Sequence, residues 1–204
     1  MAASPAMAQS DRRARFDDGS RAWHVSLSAG SMRGVTISDK ASNAAWVLAR
    51  SRPLAVSVDW GRRSRVFGLR VQQIVAPIDF QGGSCPGCDG TVRAHSLLLT
   101  MRNAGPLFET SLVQMVELGL GTTTWHSLTG RNGDHPTSID PTTDLTYSAA
   151  IGIALPFRDR YEAVANYDIQ MARHQQKPRV SGVANPGYIG LGMLRLALRI
   201  QITD

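Results

Sequence analysis

The stretch LTYSAAIGIALPFRDRYEAVANYDIQMARH, Leu145 to His174, constrains the chain more than any other. Leu145, Tyr147, Ala149, Ile151, Ile153 and Leu155 are separated by Thr146, Ser148, Ala150, Gly152 and Ala154. After a short charged turn, Tyr161, Ala163, Ala165, Tyr167, Ile169 and Met171 alternate with Glu162, Val164, Asn166, Asp168, Gln170 and Ala172. A period of two is the signature of β-strands, because successive side chains point to opposite faces. The apolar face must meet either a protein core or lipid. Hydropathy does not decide between them. No apolar run approaches the roughly 20 residues of a membrane helix, but a membrane strand exposes only half of its residues to lipid.

The same alternation recurs along the 204 residues. Trp23, Val25, Leu27 and Ala29 form one apolar row, Leu54, Val56, Val58 and Trp60 a second, and Phe67, Leu69, Val71 and Val75 a third that Gln73 breaks. Thr91–Met101 is less regular, and a slip near Leu97–Leu99 suggests a bulge. Phe108, Leu112, Val116, Leu118 and Leu120 follow, with Gln114 an exception between them, and Leu194, Leu196, Leu198, Ile200 and Ile202 close the series. This makes about eight strands, each near the 9–11 residues that span a bilayer. Ala41–Arg50 reads as a short helix capped by Ser42 or Asn43 in a loop. Tight turns are expected at Gly61–Arg65, Arg102–Pro106 and Pro156–Arg160. Long connections are expected at Ser31–Pro53, Pro77–Gly90, Thr122–Asp144 and Arg173–Gly187. Short turns at one end and long loops at the other are how outer-membrane barrels are built.

The minor face indicates which side is oily. It combines Gly, Ala and Ser with Asp59, Arg70, Glu117, Glu162, Asp168, Arg195 and Arg199. Small residues suit the narrow lumen of an eight-stranded barrel, and charges of both signs pair inside it. Aromatic residues are a second test. With the N-terminus periplasmic, Trp23, Trp60, Phe67, Phe108, Phe157 and Tyr161 fall at the periplasmic strand ends, as an interfacial girdle does. Tyr147 and Tyr188 fall near the other end. Within the lumen, Asp168 is expected opposite Arg195 and Arg199 opposite Val164, with Glu117 reaching across. The resulting cluster of Glu117, Glu162, Asp168, Arg195 and Arg199 would plug the barrel.

AGPLFETSLVQMVELGLGTT, the opening stretch and the closing GMLRLALRIQI together resemble the small outer-membrane β-barrels of Gram-negative bacteria, of the OmpA-like membrane-domain type. The resemblance covers about Ala22 to Thr203. It implies an all-β, eight-stranded antiparallel up-and-down transmembrane barrel in the outer membrane. Its expected partners are outer-membrane lipid and lipopolysaccharide, together with an extracellular partner of the surface loops. One departure is the ending RIQITD, because such barrels commonly finish on an aromatic residue.

The other signals are weaker. The net charge of +6 comes from basic residues spread along the chain, without a basic block or aromatic RNA-binding motif, so no nucleic-acid partner is expected. Ala6-Met7-Ala8 before Gln9 is a small-x-small pattern. Residues 1–21 therefore read as a signal-peptide remnant or disordered leader, and 22–204 as the barrel. Cys85 and Cys88, the only cysteines, read as a loop disulfide. Asp79, Asp89 and His95 are near in sequence, but one CxxC does not make a metal site, and none is assigned. His24 with Ser26, His126-Ser127 and Asp134-His135 match no hydrolase signature. No catalytic residue and no cofactor are expected. The expected role is structural or interactive, carried by the loops. The alternatives are an outer-membrane lipid A or phospholipid hydrolase and a soluble lipocalin-like barrel that binds a small apolar ligand.

Overall fold

The structure, a computed structural model, describes residues 19–39, 44–82, 89–108, 110–132, 135–139, 141–158, 160–175 and 186–202. The strands are β1 (Ala22–Met32), β2 (Val35–Asp39), β3 (Ala44–Leu48), β4 (Leu54–Arg62), β5 (Arg65–Gly82), β6 (Asp89–Pro106), β7 (Val113–Asn132), β8 (His135–Ile139), β9 (Thr142–Phe157), β10 (Tyr161–Gln175) and β11 (Pro186–Gln201). Eight of them close a barrel in the order β1-β4-β5-β6-β7-β9-β10-β11, each antiparallel to its neighbours. The seam between β11 and β1 runs from His24↔Gln201 to Met32↔Met193. Closure removes both sheet edges, which is what permits a sheet to cross lipid.

In their turn-side halves the wall strands send bulky apolar residues outward and mostly small or polar residues inward. The closing strand shows this most directly: Leu196 is 60% exposed while its neighbour Arg195 is 6% exposed. A soluble barrel has the opposite polarity, so the lipocalin-like alternative is excluded for this part of the wall.

The turns are short. Gly61 and Arg62 belong to β4 and Arg65 to β5, leaving Arg63-Ser64 as a two-residue link. Gly61 has φ +146° and packs against the Arg65 carbonyl, a position no other residue fills without strain. The second turn is not at Arg102–Pro106. Those residues continue β6 and pair with β7 as far as Pro106↔Val113. The reversal comes at Leu107–Leu112, where the Thr110 hydroxyl donates to the Leu107 carbonyl (2.6 Å) and accepts from the Leu112 amide (3.1 Å). A side-chain-capped turn of this kind replaces the Gly-Pro turn the sequence suggests. The third turn lies between Phe157 and Tyr161.

The far end differs from expectation. The eight wall strands run from 9 residues in β4 to 20 in β7 and continue into the stretches read as long loops. Residues 44–48 of the expected helix form β3, paired with the upper part of β5 from Ala44↔Gly82 to Leu48↔Ile78. The β5 extension supplies ladder hydrogen bonds there, and Leu48 is buried inside. Tertiary context thus overrides a weak local helix pattern. The proposed cap residues lie outside the described residues. The bulge expected near Leu97–Leu99 is absent. Leu98 points inward between outward Leu97 and Leu99, and the register shift lies at Thr91/Arg93.

Candidate functional site: lumen and rims

The interior is layered along the barrel axis. Nearest the turns, Val113, Met115, Ala154 and Val164 form a small apolar cluster. Beside them, Arg102 Nη2 lies 3.2 Å from Asp59 Oδ2, Arg199 Nε 3.4 Å from the same oxygen, and Arg199 Nη1 2.8 Å from Glu162 Oε2. Arg63 in the turn reaches Glu162 from below at 3.4 Å.

The next layer is a closed ionic ring. Arg70 Nη1 donates to Glu117 Oε1 at 2.6 Å, and Arg195 Nη2 donates to the same oxygen at 3.1 Å. Arg195 Nε lies 2.7 Å from Asp168 Oδ2, and Arg70 Nη1 lies 3.7 Å from Asp168 Oδ1. The four members come from β5, β7, β10 and β11, so the ring crosses the lumen rather than following one wall. Arg70 and Asp168 are among the most buried residues, at 1% and 0% exposed. Both layers together set Arg70, Arg102, Arg195 and Arg199 against Asp59, Glu117, Glu162 and Asp168, an equal number of each sign. Only Lys40 and Lys177 of the 22 basic residues are lysines, and both lie outside the described residues. A guanidinium is planar and multidentate and bridges two carboxylates, which suits a ring in which every charge is shared.

The register that builds the ring differs by two residues from the expected one. Asn166 faces Arg195, Glu162 faces Arg199, and Val164 faces Ala197. Asp168 meets Arg195 diagonally. This register gives Arg199 a directly opposite carboxylate, and the expected one did not. Sequence reasoning placed Glu117, Glu162, Asp168, Arg195 and Arg199 in one cluster; the structure puts them in two stacked layers. Sequence reasoning put Asp59 and Arg70 on the inner face but outside the cluster, and it missed Arg102. Arg70 and Asp59 carried a usable signal, since both interrupt the small-residue face of their strands. Arg102 carried none while it was assigned to a turn.

Above the ring the lining becomes uncharged and then apolar. Gln72 Nε2 donates to Gln170 Oε1 (3.2 Å), and Thr123 joins Ser96 (2.8 Å) and Thr146 (2.7 Å). Beyond these, Met32, Leu48, Ile74, Ala76, Ile78, Val92, Ala94, Trp125, Ile189, Leu191 and Met193 pack into one buried cluster. Asp144 is buried at this end and accepts from Trp125 Nε1 at 2.7 Å.

Outside, Trp23, Trp60, Phe67, Phe108, Phe157 and Tyr161 are all exposed at the turn end. Trp23 pairs with Trp60 and Trp60 with Phe67, while Phe157 stacks on Tyr161 at 5.8 Å. Phe108 stands in its turn with φ 49°. His24 and Ser26 point into the lumen, where Ser26 bonds Ser57 (2.7 Å). The His126 ring packs on His95 at 5.0 Å, on the outer face. Among the described residues no three His, Cys, Asp or Glu side chains are grouped to hold a metal. Cys85, Cys88, Asp134 and residues 1–18 lie outside the described residues.

An eight-stranded up-and-down barrel with an apolar outer band and a polar, ion-paired interior is a transmembrane β-barrel of the outer-membrane type, and this architecture belongs in the outer membrane. The fold is similar to that of Neisserial surface protein A (TM-score 0.59, 11% identity, 90% of this chain and 99% of that chain covered). It is also similar to the outer membrane protein OprG from Pseudomonas aeruginosa (TM-score 0.53, 10% identity, 90% and 97% covered). No protein-family model and no curated protein matches the chain by sequence.

Proposed function

We propose that the protein is a non-catalytic outer-membrane barrel that acts through its loop-end surface, with a lumen closed by its own side chains. The ionic ring of Arg70, Glu117, Arg195 and Asp168 carries this reading, because it joins strands from opposite sides of the lumen with charges that balance. Opening it would leave buried charges unpaired. The loop-end strand extensions are the surface offered to an extracellular partner. The turn-end aromatics serve as the interfacial girdle, and outer-membrane lipid and lipopolysaccharide surround the wall. Residues 1–21 are a signal-peptide remnant or a leader to a barrel spanning 22–204, and no cofactor takes part. Reconstitution in planar lipid bilayers tests the closed lumen. The native protein is expected to give no sustained conductance. Sustained conductance of the native protein would overturn the reading.

A further inference from the structure

At the turn end, the outward rows of three neighbouring strands each continue from an aromatic residue to an arginine. Trp23 is preceded by Arg21, Trp60 is followed by Arg62, and Phe67 is preceded by Arg65, all at two-residue spacing on the same face. Register places them side by side, since Trp23 faces Trp60, Trp60 faces Phe67, and Arg62 faces Arg65. The Arg21 guanidinium lies over the Trp60 ring, 5.0 Å from its centroid. Arg65 Nε donates to the side-chain Oδ1 of Asn103 at 2.9 Å. All three arginines are exposed, and no carboxylate among the described residues pairs with any of them. Arg63 between them turns inward to Glu162.

Two like charges directly opposite each other across a hairpin are unfavourable without a counter-anion. Here they stand with a third cation beside them. The position of the three residues identifies the missing anion. They continue the lipid-facing rows past the aromatic band, which places them at the level of the headgroup layer. An aromatic ring at the interface with a guanidinium beyond it matches a lipid, with acyl chains against Trp60 and Phe67 and a phosphate at the arginines. Resting on the outer-membrane reading above, we infer that Arg21, Arg62 and Arg65 form a docking site on β1–β4–β5 for the phosphate headgroup of an anionic phospholipid of the turn-side leaflet.

The tryptophans in the site report on it. Trp23 and Trp60 are exposed in the band, whereas Trp125 is buried in the interior and Trp46 sits in β3 at the loop end. The full chain is reconstituted in phosphatidylcholine vesicles. Phosphatidylglycerol or phosphatidylcholine brominated on the acyl chains is then added at equal mole fractions. Brominated phosphatidylglycerol should quench more strongly, corresponding to about fivefold preference over phosphatidylcholine. The preference should fall to about one in Arg62→Gln/Arg65→Gln, should be partly reduced in Arg21→Gln, and should survive in Arg33→Gln/Arg173→Gln, which removes two exposed loop-end charges. Equal quenching of the native protein by both lipids, or a preference retained in the Arg62/Arg65 variant, overturns the docking site while leaving the membrane barrel intact. Quenching by neither lipid overturns the membrane reading as well.

Discussion

Along β5 the chain reverses its polarity without changing its geometry. In the lower half Phe67, Leu69 and Val71 face outward, while Gly68, Arg70 and Gln72 face inward. Higher up Ile74, Ala76 and Ile78 are inside, and the outer face carries Gln73 and Asp79 beside Val75 and Pro77. The neighbours make the same exchange. Outward Leu99 and Leu97 on β6 give way to His95 and Arg93, and outward Leu118 and Leu120 on β7 give way to Thr122 and Thr124. The surrounding medium explains both halves. In lipid an outward Leu costs nothing and a lumen charge needs a partner. In water the outward position favours polar groups, and the interior is stabilised by removing apolar surface from solvent. One continuous ladder therefore serves as a membrane barrel below and as a soluble β-structure above.

The comparison can be broken at four points. Asp168→Ala in the lower interior should have the largest effect, about 3–5 kcal/mol in urea unfolding from detergent micelles, because it leaves Arg70 and Arg195 sharing one carboxylate in a buried ring. Adding Arg195→Ala should recover part of that loss, and strict additivity in the double-mutant cycle would show that the ring is not a unit. Leu196→Arg, on the lower outer wall, should cost about 2–4 kcal/mol in bilayer-reconstituted protein. Ile74→Val, in the upper interior, should cost about 0.5–1.5 kcal/mol, as in a soluble core. Thr122→Arg, on the upper outer wall, should shift stability by less than about 0.5 kcal/mol. If Thr122→Arg costs as much as Leu196→Arg, both positions lie in lipid and the exchange of polarity does not mark the membrane boundary.

Much of this was legible in the residues. Strict alternation identified the wall strands, and small residues beside charges of both signs identified the inner face. The upper half was harder to read, for a specific reason. Gln73 looked like a defect in an apolar row, when it and Ile74 are the point at which inside and outside exchange character. The periodicity survives that exchange, so a search for one apolar face loses the strand there and reports a loop. The same loss turned Ala44–Leu48 into a helix. The register of β10 on β11 was out of reach for another reason: a shift of two residues keeps every side chain on its face, so only the three-dimensional positions of the charges distinguish the alternatives. Arg70, at the centre of the ring, pairs with residues 47 positions or more away in the chain, a separation no local pattern encodes.

The ring also sets an order of events. Arg70 and Glu117 are 47 residues apart, and Glu117 and Arg195 are 78 apart. Until β11 arrives, two carboxylates, Glu117 and Asp168, face the single cation Arg70. The imbalance arises when β10 brings Asp168 to the Arg70–Glu117 pair, and Arg195 removes it together with the hydrogen bonds of the β11–β1 seam. Partly assembled forms are therefore penalised twice, by an open sheet edge and by an uncompensated charge, and the two penalties disappear in the same step. Completion of the barrel becomes close to all-or-none, with Arg195 and Arg199 of the final strand balancing carboxylates that the earlier strands had left in excess.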